Sequence, residues 1–114
     1  MDKLTYYADI IKQVITEYAT TRKLVNGLNT TFQLIFDSEH HHYQLYRVGW
    51  EGLERVHYCV FHIDIINDKI WVQEDATDYD IVGVLEDDHQ VPKEDIVLAF
   101  HAPYKRPYTG YAVA

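Results

Sequence analysis

Apolar residues recur at three-and-four spacing near the start of the chain: Leu4, Tyr7, Ile11, Val14, Ile15 and Tyr18. That spacing builds one stripe along a helix, and Asp9, Lys12, Gln13 and Glu17 fall mostly elsewhere on its surface. The pattern predicts an amphipathic helix over residues 3–21. Arg22 and Lys23 suit the negative end of its macrodipole, and Asn26-Gly27 marks a turn beyond it.

The period then changes from helical to alternating. TFQLIFD (31–37) sets Phe32, Leu34 and Phe36 against Gln33 and Asp37, as a half-buried strand does. YQLYRVGW (43–50) puts Tyr46, Val48 and Trp50 on one side and Tyr43 and Leu45 on the other. RVHYCVFHIDI (55–65) is rich in β-formers and apolar on both faces, the mark of a central strand. KIWVQE (69–74) follows a tight turn at Asn67-Asp68, and Glu51-Gly52 breaks the chain in the same manner. Such short links join antiparallel neighbours, because parallel strands need a long crossover.

A second helix is expected near 78–88, where Thr77 and Asp80 resemble a capping box and Ile81, Val84 and Leu85 supply an apolar face. Pro92, Glu94 and Asp95 suggest a helical turn leading into IVLAF (96–100). The length of that run favours a strand, with a buried helix as the alternative. The end, HAPYKRPYTGYAVA, reads as loop. The expected fold is α+β in a single domain over 1–114: an N-terminal helix packed on an antiparallel four-stranded meander, then a second short helix and a C-terminal strand-like segment.

Composition narrows the function classes. With 47% apolar and 25% charged residues, the chain is ordinary for a globular protein. A net charge of −8 repels phosphate backbones and anionic lipid, and the tight basic pairs are Arg22-Lys23 and Lys105-Arg106. Direct nucleic-acid contact and membrane association are therefore not expected. Cys59 is the one cysteine, so no intramolecular disulfide can form. The opening MDKLTYYADIIKQV lacks a signal peptide's apolar core, and a cytoplasmic protein is expected.

Catalytic patterns are weak. Ser38 is the one serine and sits at a strand-ending turn, while Cys59 lies inside a strand, where it behaves as a small hydrophobe. DYDIVGVLEDDH begins like a calcium loop at Asp78 and Asp80, but Val82 and His89 occupy decisive ligand positions. No lysine has an acid two residues before it, so a common nuclease signature is missing. Among seven histidines, His40, His41 and His42 are adjacent and cannot converge on one ion along a strand. His57 with Cys59, or His62 with Asp64, share a face and could give two ligands, one or two short of a zinc site. By strand parity His57 and His62 fall on opposite faces. No enzyme activity, cofactor or metal is expected.

Aromatics stand out, with ten tyrosines and two tryptophans. Tyr104, Lys105, Arg106, Tyr108 and Tyr111 cluster in the closing segment, and Tyr and Arg are favoured at protein interfaces. They form the candidate partner-binding residues; a tail packed on its own sheet is the alternative.

Taken together, QLIFDSEHHHYQLYRVGWEG (33–52), HIDIINDKIWVQEDAT (62–77), VPKEDIVLAFHAPYKRP (91–107) and YAVA (111–114) resemble the XisI-like family. These are small cyanobacterial proteins named as controlling factors for excision of the element interrupting the fdxN gene. Gln90 replaces a glycine frequent in the family, Asn67-Asp68 replaces Asp-Gly, and 19–31 departs from the family pattern. The resemblance implies a non-catalytic accessory role in site-specific DNA excision, beside a recombinase and a companion XisH-like protein. It carries no active site. Self-association into a homodimer is a further option for a chain that works by binding. The alternatives are direct DNA binding, or DNA mimicry using Glu86 to Asp88 and Glu94-Asp95.

Overall fold

The structure, a computed structural model, describes residues 2–22 and 29–114. Lys23 and the turn expected at Asn26-Gly27 lie outside the described residues. Helix α1 runs Lys3–Thr21, the span its apolar stripe predicts. Asp2 caps it by accepting from the Thr5 amide at 2.7 Å, and Tyr7, Ile10, Ile11, Val14 and Ile15 are buried. Such a cap contributes about 1 kcal/mol by satisfying a free amide of the first turn.

Four antiparallel strands follow: β1 (Asn29–Asp37), β2 (His42–Glu51), β3 (Glu54–Ile66) and β4 (Lys69–Asp75). Each link is set by local chemistry. Asp37 accepts from the amides of Glu39 and His40 at 3.0 Å and turns the chain after β1. Gly52 and Leu53 close the next hairpin, with Gly52 at φ 63°. Asn67 and Asp68 both take the left-handed conformation, φ 52° and 62°, which gives the tight turn expected there.

After β4 the chain crosses through α2 (Ile81–Asp87) and a 3-10 turn (Lys93–Asp95) into β5 (Ile96–Leu98). Within the IVLAF run Ile96–Leu98 is thus a strand, fully buried at Ile96 and Val97, while Ala99 and Phe100 form a turn after it. It joins the sheet parallel to β4, which the intervening crossover permits, giving five strands in the order β1-β2-β3-β4-β5. Asp80, rather than Thr77, caps α2, accepting from the Gly83 amide at 2.9 Å. Thr77 instead folds the preceding turn by accepting from Tyr79.

Helix α1 covers one face of the sheet. Tyr43, Leu45, Phe61, Ile63, Ile70 and Val72 meet it there, and Ile81 and Leu85 of α2 join the same core. A bulge carries one consequence for the other face. Leu45 pairs with Phe61 but Tyr46 pairs with Cys59, so Val60 is an extra residue in β3. Val60 and Phe61 both turn into the core, and the alternation reverses between Cys59 and His62. His57 and His62 therefore share the open face, against the expectation from strand parity.

No helix among the described residues is long and apolar enough to cross a membrane.

Candidate functional site

The described residues form no pocket, so the candidate site is sought on exposed surface. The sheet face opposite α1 is one such surface. Register places Tyr46, Val48 and Trp50 on it toward the β2–β3 hairpin, and Ile35, His42, His62, Asp64 and Trp71 toward the other end, where Gln73 joins through its bond to Asp64. Trp50 is 47% exposed with the Arg55 guanidinium stacked on its ring at 5.4 Å, and Leu53 at the hairpin tip is 99% exposed. Ile35 and Ile66 are also exposed. An apolar ring and aliphatic side chains left in water on a rigid sheet are the composition of an interaction surface.

The closing segment borders this face and divides into two roles. Arg106 stacks on Trp71 at 5.5 Å and donates to the carbonyls of His101 and Ala99 at 3.0 and 3.3 Å. Tyr111 donates to Glu86 on α2, and Lys93 stacks on its ring. That hydrogen bond and burial push the Tyr111 hydroxyl up to about 12. Ala112 bridges to Val97 and donates to Ile96, so the tail covers the outer edge of β5. Arg106 and Tyr111 thus hold the segment on its own sheet. Tyr104 and Tyr108 point outward, 73% and 89% exposed, and Lys105 lies over the Tyr104 ring.

The histidine run disperses. His40 pairs with Asp37 at 2.9 Å and His41 with the Tyr43 hydroxyl at 2.9 Å. His42 crosses to β3 and meets Asp64 at 2.8 Å, where His62 also reaches the carboxylate at 2.9 Å. Hydrogen bonding to Asp64 and its negative charge raise the pKa of His42. Burial raises the Cys59 thiol, which makes it a poor nucleophile. Of the acids considered for DNA mimicry, Asp95 is buried and Glu86 is engaged by Tyr111, so neither offers a free surface charge.

Sequence reasoning missed Trp50, Leu53 and His42 as site residues. Trp50 was legible as a strand aromatic, but that α1 leaves its face open could be read only from the assembled sheet.

The profile of the XisI protein family matches residues 1–113. This chain belongs to the XisI family. Its fold is that of a XisI-like protein from Anabaena variabilis, with 44% identity, a TM-score of 0.89, and coverage of 97% of this chain and 99% of that one. It is also similar to the fdxN element excision controlling factor XisI from Anabaena variabilis, at 34% identity and TM-score 0.85, covering 99% and 100%. No curated protein matches the chain.

Proposed function

We propose that this XisI-family protein is a non-catalytic accessory factor in site-specific excision of a DNA element, acting by binding a companion XisH-like protein. The observation that carries the binding role is the open sheet face, where Trp50, Tyr46, Val48 and Ile35 stand without a covering layer among the described residues. The excision context comes from the relative named as an excision controlling factor. Tyr104, Lys105 and Tyr108 extend the surface at the tail, while Arg106 and Tyr111 keep the tail in position. The arrangement offers rigid aromatic anchors on β2, which bind at low entropic cost. The net charge of −8 favours a partner with a basic surface over direct contact with DNA.

Mixing the purified pair and reading mass by light scattering tests this reading. A defined complex supports it. Two species eluting separately at micromolar concentration would remove the companion from the account.

A further inference from the structure

Asp64 is a carboxylate only 6% exposed, and among the described residues the ionisable groups it meets are two imidazoles, which carry charge only when protonated. Desolvating a carboxylate is costly unless positive charge faces it. His62 and Asp64 are two apart on β3 and so lie on one face. His42, directly opposite Asp64 in the β2–β3 register, brings a second imidazole to the same point. One ligand atom from each of the three residues lies within 4.8 Å of the others. Gln73 on β4 donates to the second carboxylate oxygen at 3.2 Å and fixes its orientation.

We propose that His42, His62 and Asp64 form a binding site for a divalent first-row transition-metal ion, with zinc as the reference case. Two imidazoles with one carboxylate is a donor set suited to zinc, iron or cobalt, whereas calcium and magnesium prefer all-oxygen shells. The ligands stand on adjacent paired strands, locked locally by the Ile65 amide donating to the His41 carbonyl at 3.1 Å. Gln73 takes the part of an outer partner that orients a ligating carboxylate. His42 is exposed, which leaves the outward side of the ion open to water or to a donor from a bound partner. The site rests on strand geometry alone and stands whether or not the companion protein binds.

The test is titration of chelator-washed full chain with zinc alone, followed by calorimetry, and with cobalt, followed by visible absorption. Saturable equimolar uptake and cobalt ligand-field bands are expected. His62→Gln and Asp64→Asn should each weaken uptake by more than about tenfold, since loss of an outer-shell partner alone costs 10- to 100-fold. The double variant His40→Gln/His41→Gln should bind as the parent does, which separates this site from casual binding by the histidine run. Circular dichroism confirms folding, and the isosteric Asp64→Asn decides the matter if His62→Gln fails to fold. No saturable uptake, unchanged affinity in Asp64→Asn, or loss in the His40/His41 double variant would each overturn the proposal.

Discussion

The hydroxyl of Tyr7 on α1 donates to the carboxylate of Asp95, 88 residues further along the chain. Lys3 reaches the same carboxylate at 2.8 Å. This one buried group ties the first turn of α1 to the turn that launches β5, and so fastens the helix to the parallel edge of the sheet. Burial raises the Tyr7 pKa, and Asp95 raises it further.

Tyr7→Phe removes one donor to a charged acceptor and leaves the carboxylate less satisfied. It should lower stability by about 1.5–3 kcal/mol, read as a reduced urea midpoint at unchanged slope. A variant as stable as the parent would show that Lys3 alone satisfies Asp95.

The same group predicts a response to acid. Burial works to raise the Asp95 pKa, but hydrogen bonds from Lys3 and Tyr7 outweigh it and hold the carboxyl below the ordinary value of 3.8. A depressed folded-state value means the contribution is fully present above the unfolded value and is lost as pH falls through the folded one. Urea midpoints should therefore fall on acidification below about pH 4, where unfolded aspartate begins to titrate. Asp95→Asn should be weaker at neutral pH and show a shallower acid slope. Parallel slopes for the two proteins would place the acid sensitivity elsewhere.

Gly49 adopts φ 149°, and a Cβ built there would sit 2.0 Å from the Asn29 carbonyl oxygen on β1. The clash is with backbone, which cannot swing away. Gly49→Ala should cost about 3 kcal/mol or more, through strain at the β1–β2 pairing. Thermal melting measures it; Gly52→Ala, where nothing lies within 4 Å but φ is 63°, isolates the conformational part.

Arg106→Ala should release the tail without unfolding the sheet. The loss of its carbonyl bonds and of the stack on Trp71 predicts a drop of about 1–3 kcal/mol and a change in tryptophan emission. Faster amide exchange confined to residues near 99–113 would accompany it; exchange unchanged there would mean that Tyr111 and the Ala112 bridge suffice.

Much of this fold was legible because its signals are local. The α1 stripe, the alternation in β1 to β4, and the Asn67-Asp68 turn each act over a few residues. The parallel docking of β5 was not legible, because only the length of IVLAF argued for a strand and nothing in it chose a neighbour. The site was hidden by one residue. Continuing the hairpin register from Glu51 and Glu54 without a bulge would set His42 against Ile63 and turn His62 and Asp64 to the opposite, core side. The extra Val60 moves His42 opposite Asp64 and completes the cluster that parity left at two ligands. The tail aromatics were legible as a group, but their division into Arg106 and Tyr111, which anchor, and Tyr104 and Tyr108, which face outward, depends on Trp71 and Glu86 being brought beneath them.

The central claim is that the open face and the tail it borders form one partner surface. Its most direct test is titration of the XisH-like companion with the parent chain and with Trp50→Ala, Tyr108→Ala and, as a control on the α1 side of the sheet, Tyr58→Ala. Trp50→Ala should weaken binding by about 30-fold, as removal of a central aromatic anchor does, and Tyr108→Ala by less. Tyr58→Ala should leave affinity unchanged. Binding by Trp50→Ala and Tyr108→Ala that equals the parent's, with loss confined to Tyr58→Ala, would contradict the account and move the partner to the helical side.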